Sequence, residues 1–413
     1  MIQSGKHFDA AVIGGGIVGL TSALSLADRG MQVALVDPRG ELVSLPVPFD
    51  TRSYALTESS IRVMQRLDVW AYTQTERNAN ISNMSVWDGS SDGKIEFNPQ
   101  TIMASRFGVI IEHSNLLHAL QLKAQQTTAI KNFPRTVKAT HSTNNARELV
   151  FDNDQTLSAE FVVCADGARS MMRTLLGLDA EITDYQQIAV TCNVKTTHAH
   201  NNVARQVFLK SGPLALLPLA GPNECAVVWT NSVDERINLS SMSDVQLAER
   251  IAEASDYVLG NVKITSRRSD FPLQKMHVSN YDAERAVLIG DAAHIIHPLA
   301  GQGLNLGIMD AAVLAELIPE RAKISARSAS KLRRALRHFS RRRRHDNGLM
   351  LQMTDGLNTL FARDEAVVRW LRGFGLNLST RIPPLMRLFA EHAIGHAGEL
   401  PPLARALEFG ETS

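Results

Sequence analysis

Short apolar runs alternate with a glycine-rich turn and a helical pattern at the start of the chain. Phe8 to Ile13 predicts a buried strand, and glycines follow it directly. Ile17 to Arg29 predicts a helix that Gly30 ends, and Gln32 to Asp37 predicts a second strand that closes on a carboxylate. This order of strand, glycine turn, helix and strand is typical of the opening unit of a parallel α/β sheet.

The glycine turn has the spacing of a dinucleotide fingerprint. Gly14 would allow the turn, Gly16 would let the backbone approach a pyrophosphate, and Gly19 would let the helix pack against the strand. Asp37 lies at the distance along the chain expected of a residue that binds adenosine ribose hydroxyls. NAD and FAD use the same turn, so the fingerprint alone leaves the dinucleotide open.

Two later strands each run into a carboxylate beside a glycine. Phe161 to Ala165 precedes Asp166-Gly167, with Arg173 beyond it, and Ala286 to Ile289 precedes Gly290-Asp291. A carboxylate in this position can accept hydrogen bonds from ribose or ribityl hydroxyls. The alternative for each aspartate is to cap the helix that follows.

The segment from His297 to Asp310 indicates a flavin site. Its glycines would let the backbone pass close to a flat ligand, and Leu304 to Leu317 predicts a helix whose N-terminus points at that ligand. A helix N-terminus stabilises negative charge, which reduced flavin carries at the pyrimidine end of its ring.

The middle of the chain predicts an antiparallel sheet. Strand patterns separated by turn residues cover Ile188 to Lys195, Ala204 to Lys210, Leu214 to Leu219 and Cys225 to Thr230. Asp244 to Ser255 predicts one helix, after which Arg267 to Leu273 would return toward the cofactor domain, and the pattern after Ala311 is mostly helical. We therefore predict an α/β fold with a discontinuous Rossmann-like FAD-binding domain, an inserted, mainly antiparallel β-sheet substrate domain and a helical C-terminal region. The boundaries are 1–75, 100–183 and 271–330 for the first, 76–99 and 184–270 for the second, and 331–413 for the third.

Composition narrows the class of protein. The 413 residues carry 43 basic and 42 acidic side chains, so the chain lacks the excess of positive charge that attracts nucleic acid. Nucleic acid is therefore not predicted as a partner. Cys164, Cys192 and Cys225 lie far apart in apolar runs, which predicts buried reduced thiols rather than disulfides or a metal site. We find no signal peptide pattern and expect a cytoplasmic protein.

Together, the fingerprint, Asp166-Gly167 and Gly290-Asp291 resemble the FAD-dependent aromatic hydroxylases of the para-hydroxybenzoate hydroxylase type. Within that group, His297 to Asp310 is similar to the signature of the ubiquinone-biosynthesis hydroxylases. The resemblance covers nearly the whole chain and includes Asp50 to Leu56, Ala204 to Phe208, Leu214 to Pro218 and Asp346 to Phe361. Asp37 departs from the family, which more often has Glu there, and the change shortens the reach to the ribose.

The resemblance implies that NAD(P)H transiently binds and reduces FAD, and that O2 then forms a flavin hydroperoxide which hydroxylates a polyprenylated phenol. It implies that Pro298 lines the oxygen side, and that Gly301, Gln302 and Gly303 hold the pyrimidine end of the flavin. Of these, Pro298, Gly301 and Gln302 are the catalytic candidates. The remaining candidate cofactor contacts are Gly14, Gly16, Gly19, Asp37, Arg52 near the flavin, Asp166, Gly167, Arg173, Gly290, Asp291 at the ribityl chain, Leu304 and Asn305.

Several alternatives stay open. His294 and His297 are interpreted as structural hydrogen-bonding residues, with proton transfer as the minority alternative. The basic run Arg341 to His345 is interpreted as a solvated helix face rather than a nucleic-acid or membrane patch. The aromatic and basic pattern from Arg369 to Phe389 predicts packing within the protein, with peripheral docking on the inner membrane or on a ubiquinone-biosynthesis complex as the alternative.

The reaction also has alternatives. A flavin reductase or oxidase of the same fold, or a non-catalytic flavoprotein scaffold, would share the cofactor motifs. Among ring positions, the middle segments and Leu299 to Ala312 are most similar to the 2-polyprenylphenol hydroxylase, which we favour, whereas Asp50 to Thr57 is more similar to the 2-polyprenyl-6-methoxyphenol hydroxylase. Another ring position of the same pathway is the remaining alternative. The choice of NADH or NADPH and the oligomeric state are not fixed by any motif.

Overall fold

The computed structural model describes residues 6–40, 42–47, 49–102, 104–298, 301–320, 329–362 and 399–406. Its helices are α1 (Ile17–Asp28), α2 (Glu58–Arg66), α3 (His113–Gln126), α4 (Met171–Leu175), α5 (Val233–Ser241), α6 (Asp244–Ala254), α7 (Gly303–Leu317) and α8 (Ala329–Ala362). Its strands are β1 (Lys6–Ile13), β2 (Val33–Val36), β3 (Ser53–Thr57), β4 (Ala79–Ile81), β5 (Asn83–Asp88), β6 (Lys94–Phe97), β7 (Gly108–Glu112), β8 (Ile130–Phe133), β9 (Val137–Ser142), β10 (Arg147–Phe151), β11 (Thr156–Cys164), β12 (Ala180–Thr196), β13 (Val203–Leu209), β14 (Gly212–Pro218), β15 (Glu224–Ser232), β16 (Val262–Ile264), β17 (Ser269–Val278), β18 (Asp282–Ala283), β19 (Ala286–Leu288) and β20 (His294–Ile295).

The first sheet is the predicted Rossmann-like sheet. Its order is β18-β19-β11-β1-β2-β8, with β10 and β9 added beside β11, and the core pairs from β19 to β8 are parallel. All four residues of β2 are buried, as expected for a parallel strand covered on both faces. The α/β prediction for this part of the chain is confirmed.

The second sheet has the order β20-β17-β12-β15-β14-β13-β5-β6, and β16 pairs with β12. Every pair is antiparallel except β13 with β5, so the prediction of a mainly antiparallel sheet is confirmed. The prediction that Arg267 to Leu273 returns toward the cofactor domain is wrong. That segment enters β17, which pairs along β12 as part of this sheet. The predicted boundaries at 183/184 and 270/271 fall inside β12 and β17. The division into domains stays a prediction.

A bulge interrupts the long pair of β12 and β17. Asp184 pairs with Gln274 and Gln187 pairs with Leu273, which leaves two residues of β12 without a pairing position on β17. Gln186, in this bulge, has φ of 56°, a left-handed conformation that non-glycine residues adopt rarely. Beyond the bulge, Val190 and Cys192 pack in the core with residues of α5 and α6.

Helix α8 contacts both large sheets, and α7 packs against α8 and α1. α7 crosses α1 closely at Gly307, where a Cβ would come within 2.6 Å of a methyl group of Val18. α8 contacts α7, the edge strands β18 and β19 of the first sheet, and β13 and β14 of the second. No helix in the described ranges is long and apolar enough to cross a membrane. The aromatic and basic pattern predicted from Arg369 to Phe389 lies outside the described residues.

Candidate functional site

The glycine turn between β1 and α1 is closely packed at Gly14 and Gly19 and open at Gly16. Gly14 has φ of 108°, and a Cβ there would lie 2.3 Å from the carbonyl oxygen of Ala165. A Cβ at Gly19 would lie 1.9 Å from the carbonyl oxygen of Gly14, so the glycine permits the close approach of α1 to the turn. A Cβ at Gly16 would meet no described heavy atom within 4 Å. This open space beside the backbone fits the approach of a pyrophosphate.

Asp37 lies next to this turn at the end of β2. Its carboxylate accepts hydrogen bonds from the Gly15 N–H and from the Arg39 N–H and guanidinium, at 3.0 and 2.9 Å for the two guanidinium nitrogens. Burial raises the pKa of Asp37, but the hydrogen bonds from Arg39 and Gly15 outweigh it and lower the pKa below its ordinary value. The predicted ribose ligand is therefore an ionised carboxylate beside the glycine turn. Arg39 was not singled out by the sequence.

Asp166 and Arg173 bond to the protein rather than facing open space. The Asp166 carboxylate accepts from the Ser170 hydroxyl at 2.6 Å and from the Met172 N–H at 3.0 Å, which is the helix-capping alternative. The Arg173 guanidinium donates to the carbonyl oxygens of Ala292 and Ala168, at 3.0 and 3.2 Å. Arg173 thus ties the loop containing Gly167 to the loop containing Asp291. Gly167 itself has φ of 83° and open space at its Cβ position within the described structure.

Asp291 is accessible at the surface but lies among groups that limit its hydration. Its side chain is exposed, yet burial among neighbouring groups raises its pKa, and His294 and Arg52 oppose that rise. A carboxylate that is both accessible and poorly hydrated lines a concave space. The exposed guanidinium of Arg52 lies 5.3 Å from the centroid of the Tyr54 ring, and burial raises the pKa of Tyr54 to about 12. Tyr54 is a residue of this space that the motifs did not indicate.

The start of α7 is the predicted glycine loop. The Gly301 N–H donates to the Pro298 carbonyl at 3.0 Å, and Gly301 has φ of 62°. No side chain among the described residues caps α7, so its first N–H groups, at Gly303 and Leu304, face the loop without such a partner. Gln302 is mostly buried at the cap position. The uncapped positive end of a helix fits an anionic group.

Asn305 has a side chain that holds α7 in place. Its amide donates to the Ala55 carbonyl at 2.9 Å, and its oxygen accepts from the Thr57 N–H at 3.0 Å and the Ser60 hydroxyl at 2.8 Å. The side chain therefore joins the first turn of α7 to β3 and α2. Because its side chain is engaged in these bonds, Asn305 would contact a cofactor through its backbone.

Both histidines of the loop are buried and hydrogen-bonded. His297 shares a hydrogen bond of 3.2 Å with the Gln187 amide oxygen and packs edge-on against Tyr185. Burial lowers the pKa of His297 to about 4, so the ring is neutral at neutral pH. The ring N–H of His294 donates to the buried carboxylate of Asp310 at 2.7 Å. These contacts support the structural interpretation.

The basic run is not a uniform solvated face, and that prediction is wrong at one position. Arg341, Arg344 and His345 are exposed, but Arg343 is 5% exposed and Arg342 is half-buried against Glu316. Arg343 points inward because its guanidinium donates to Asp310 at 2.7 Å. A charge run cannot show which of its members has a buried counterion. All three cysteines are buried free thiols, as predicted.

Comparison with known proteins agrees with this geometry. A family model described as an FAD binding domain matches residues 7–333, which contain the glycine turn, Asp291 and α7. The ubiquinone hydroxylase UbiL of Rhodospirillum rubrum is 31% identical over 400 residues, covering 96% of this chain and 92% of that protein. The chain belongs to this family of FAD-dependent hydroxylases.

Other members of the FAD-dependent hydroxylase family are similar over the same length. The 3-demethoxyubiquinol 3-hydroxylase of Escherichia coli is 29% identical, covering 94% of this chain and 98% of that protein. The crystal structure of pqsL, a probable FAD-dependent monooxygenase of Pseudomonas aeruginosa, has a TM-score of 0.75 at 22% identity, covering 90% of this chain and all of that one. This likeness shows the fold. The chain is therefore an FAD-dependent aromatic hydroxylase with the para-hydroxybenzoate hydroxylase type of fold.

Proposed function

We propose that this protein hydroxylates the aromatic ring of a polyprenylated phenol intermediate in ubiquinone biosynthesis, with NAD(P)H as reductant and O2 as oxygen source. The observation that carries the proposal is the full-length similarity to ubiquinone hydroxylases, together with an accessible carboxylate at Asp291 and an uncapped N-terminus of α7. FAD, when bound, would supply the electron transfer and the activation of oxygen.

The site residues would divide the work of holding FAD. Gly16 would leave room for the pyrophosphate, Asp37 would bind the ribose, and Asp291 would bind the ribityl hydroxyls. Gly301, Gln302, Gly303 and the first turn of α7 would hold the pyrimidine end, and Arg52 would offset charge beside it. The remaining candidate residues would act by shaping the surrounding loops; they are Gly14, Gly19, Gly290, Arg173, Asp166, Gly167 and Asn305.

The sheet face opposite the glycine loop suits an apolar ring. A Cβ at Gly301 would lie 3.5 Å from the Cβ of Ala55, and Ala55 packs against a buried apolar cluster that includes Ala226 of the second sheet. Ala215 and Val228 lie two residues along on the same face and are half-buried. Small apolar side chains here would leave space for a phenol and keep water from the reacting atoms.

The ring position is a finer part of the proposal. We favour 2-polyprenylphenol as substrate, with 2-polyprenyl-6-methoxyphenol or another intermediate of the pathway as the alternative. A shift of a few ångströms in the pocket would exchange these outcomes. Identification of the quinone precursor that accumulates when the protein is removed from its host would decide between them.

The reaction itself is tested with the FAD-loaded protein, NAD(P)H and a short-chain prenylated phenol under isotopically labelled O2. The expected result is one labelled hydroxyl on the ring, with NAD(P)H oxidation stimulated by the phenol. Hydrogen peroxide without a hydroxylated product would instead indicate a reductase or oxidase. Bound FAD with no phenol-stimulated oxidation would indicate a non-catalytic flavoprotein.

We also propose peripheral contact with the membrane or with a ubiquinone-biosynthesis complex, because the proposed substrate is lipid-soluble. The segment that suggested it, Arg369 to Phe389, lies outside the described residues. Liposome sedimentation of the full chain and of a chain without that segment tests the membrane contact. Equal, weak binding by both would refute it.

A further inference from the structure

The buried carboxylate of Asp310 joins the candidate site to helix α8. Its Oδ2 accepts from the Gly290 N–H at 2.9 Å and from the His294 ring at 2.7 Å. Its Oδ1 accepts from the Arg343 guanidinium at 2.7 Å and from the Asn347 amide at 3.2 Å. One oxygen therefore bonds to the turn that presents Asp291, and the other bonds to α8.

The pair of Asp310 and Arg343 is charged and enclosed. Burial raises the pKa of Asp310, but His294 and Arg343 outweigh it and hold that pKa well below its usual range. Burial likewise lowers the pKa of Arg343, and Asp310 reverses this effect. Arg343 also donates to the Leu306 carbonyl at 3.3 Å and to the Asn347 amide oxygen at 2.8 Å. Its planar guanidinium thus fixes Asp310 relative to α7 by several bonds at once.

The turn at Gly290 has little freedom of its own. Gly290 has φ of 58°, and a Cβ there would lie 3.1 Å from a methyl group of Val18 on α1. The N–H on the other side is held by Asp310. The direction in which Asp291 leaves the turn is consequently set by Val18 and by the Asp310 carboxylate.

We propose that Arg343 of α8 is a positioning residue for FAD, acting through Asp310 and the Gly290 turn to aim the Asp291 carboxylate into the cofactor cleft. The proposal rests on the placement of FAD against Asp291 in the proposed function, and it is independent of the phenol. The proposal assigns this positioning role to Arg343 alone among the residues of the basic run. Arg342 instead pairs with Glu316 at 3.2 Å and donates to the Glu399 carbonyl.

The test is a fluorescence titration of the full-length apoprotein with FAD. Arg343→Lys keeps the positive charge but loses the planar guanidinium with its several donors. We expect the dissociation constant for FAD to rise about tenfold, which is the size of effect typical when a residue that supports a ligand-binding residue is changed. Arg342→Lys is the matched control and is expected to bind FAD as the wild type does. Equal affinity of the wild type and Arg343→Lys would overturn the proposal. If Arg343→Lys does not fold, Asn347→Ala, which removes one support of the guanidinium, is judged by the same criterion.

A double variant separates positioning from general loosening of the fold. If Arg343 acts through Asp291, Arg343→Lys costs no further FAD affinity in an Asp291→Ala background. An additive loss would show that Arg343 acts elsewhere and would overturn the proposal. Asp291→Ala alone also tests the proposed function: unchanged FAD affinity would refute the placement of FAD, whereas a loss there without a loss in Arg343→Lys refutes only the role of Arg343.

Discussion

Two glycines of the same turn offer a test that separates cofactor binding from folding. Gly16 has extended backbone angles, φ −78° and ψ −180°, that alanine adopts easily, and its Cβ position is open among the described atoms. Gly16→Ala should therefore change the free energy of unfolding of the apoprotein by less than about 1 kcal/mol. In Gly19→Ala the new Cβ would start 1.9 Å from the Gly14 carbonyl oxygen. The two atoms must separate by more than about 1 Å, at a cost of about 1–3 kcal/mol or more.

The effects on FAD should run in the opposite order. The methyl group of Gly16→Ala would occupy the space beside the proposed pyrophosphate, and we expect FAD affinity to fall by at least about tenfold, or 1.4 kcal/mol. Urea unfolding of the apoproteins and fluorescence titration with FAD measure the two quantities separately. If Gly16→Ala bound FAD like the wild type, the pyrophosphate would not lie against this turn. If Gly19→Ala were as stable as the wild type, the close packing of α1 would be refuted.

Three further predictions concern buried groups. Burial lowers the pKa of His297 from 6.5 to about 4. Between these two pH values the imidazole is therefore protonated in the unfolded chain but neutral in the folded chain. The free energy of unfolding should therefore be highest above pH 6.5 and should fall by up to about 3 kcal/mol as the pH is lowered toward 4. In urea unfolding, the free energy of His297→Gln should depend less on pH than that of the wild type. An equal pH dependence of the two proteins would contradict this prediction. Arg343→Met should destabilise the protein by about 3–5 kcal/mol in thermal or urea unfolding, since it leaves Asp310 charged and buried, whereas Arg342→Met should cost about 1 kcal/mol or less. Burial raises the pKa of Cys192 and Cys225 to about 12, so both thiols should resist iodoacetamide until the protein is denatured, and rapid native labelling would refute their burial.

Local patterns predicted the parts of the fold that depend on short-range chemistry. β1, α1 and β2 form where the glycine turn and apolar runs place them, and α6 covers Asp244–Ala254 within the predicted helix. The inserted sheet was predicted from alternation and turn residues. The length of β12 was not, because its first half is largely exposed and lacks an apolar face.

Interactions between distant segments could not be predicted. Asp310 and Arg343 are separated along the chain, and only the packing of α8 on α7 shows that the charge run contains a buried counterion. The role of Asp166 could not be predicted either, because an aspartate is equally suited to bind a ribose hydroxyl and to cap a helix. Tyr54 could have been noticed as the neighbour of Arg52 on a short strand, but no pattern placed it beside Asp291.

The bulge in β12 sets which face of the second sheet each residue of the second half of β12 occupies. Side chains alternate between the two faces of a sheet, so each residue after the bulge owes its orientation to the number of residues within it. Removing Gln186 would shift that number by one, and the two halves of β12 could no longer both keep their present faces. Either Val190 and Cys192 would leave the core that they share with α5 and α6, or the side chains of the first half of β12 would exchange faces. The faces on which β12 presents its side chains therefore depend on a single residue within its bulge.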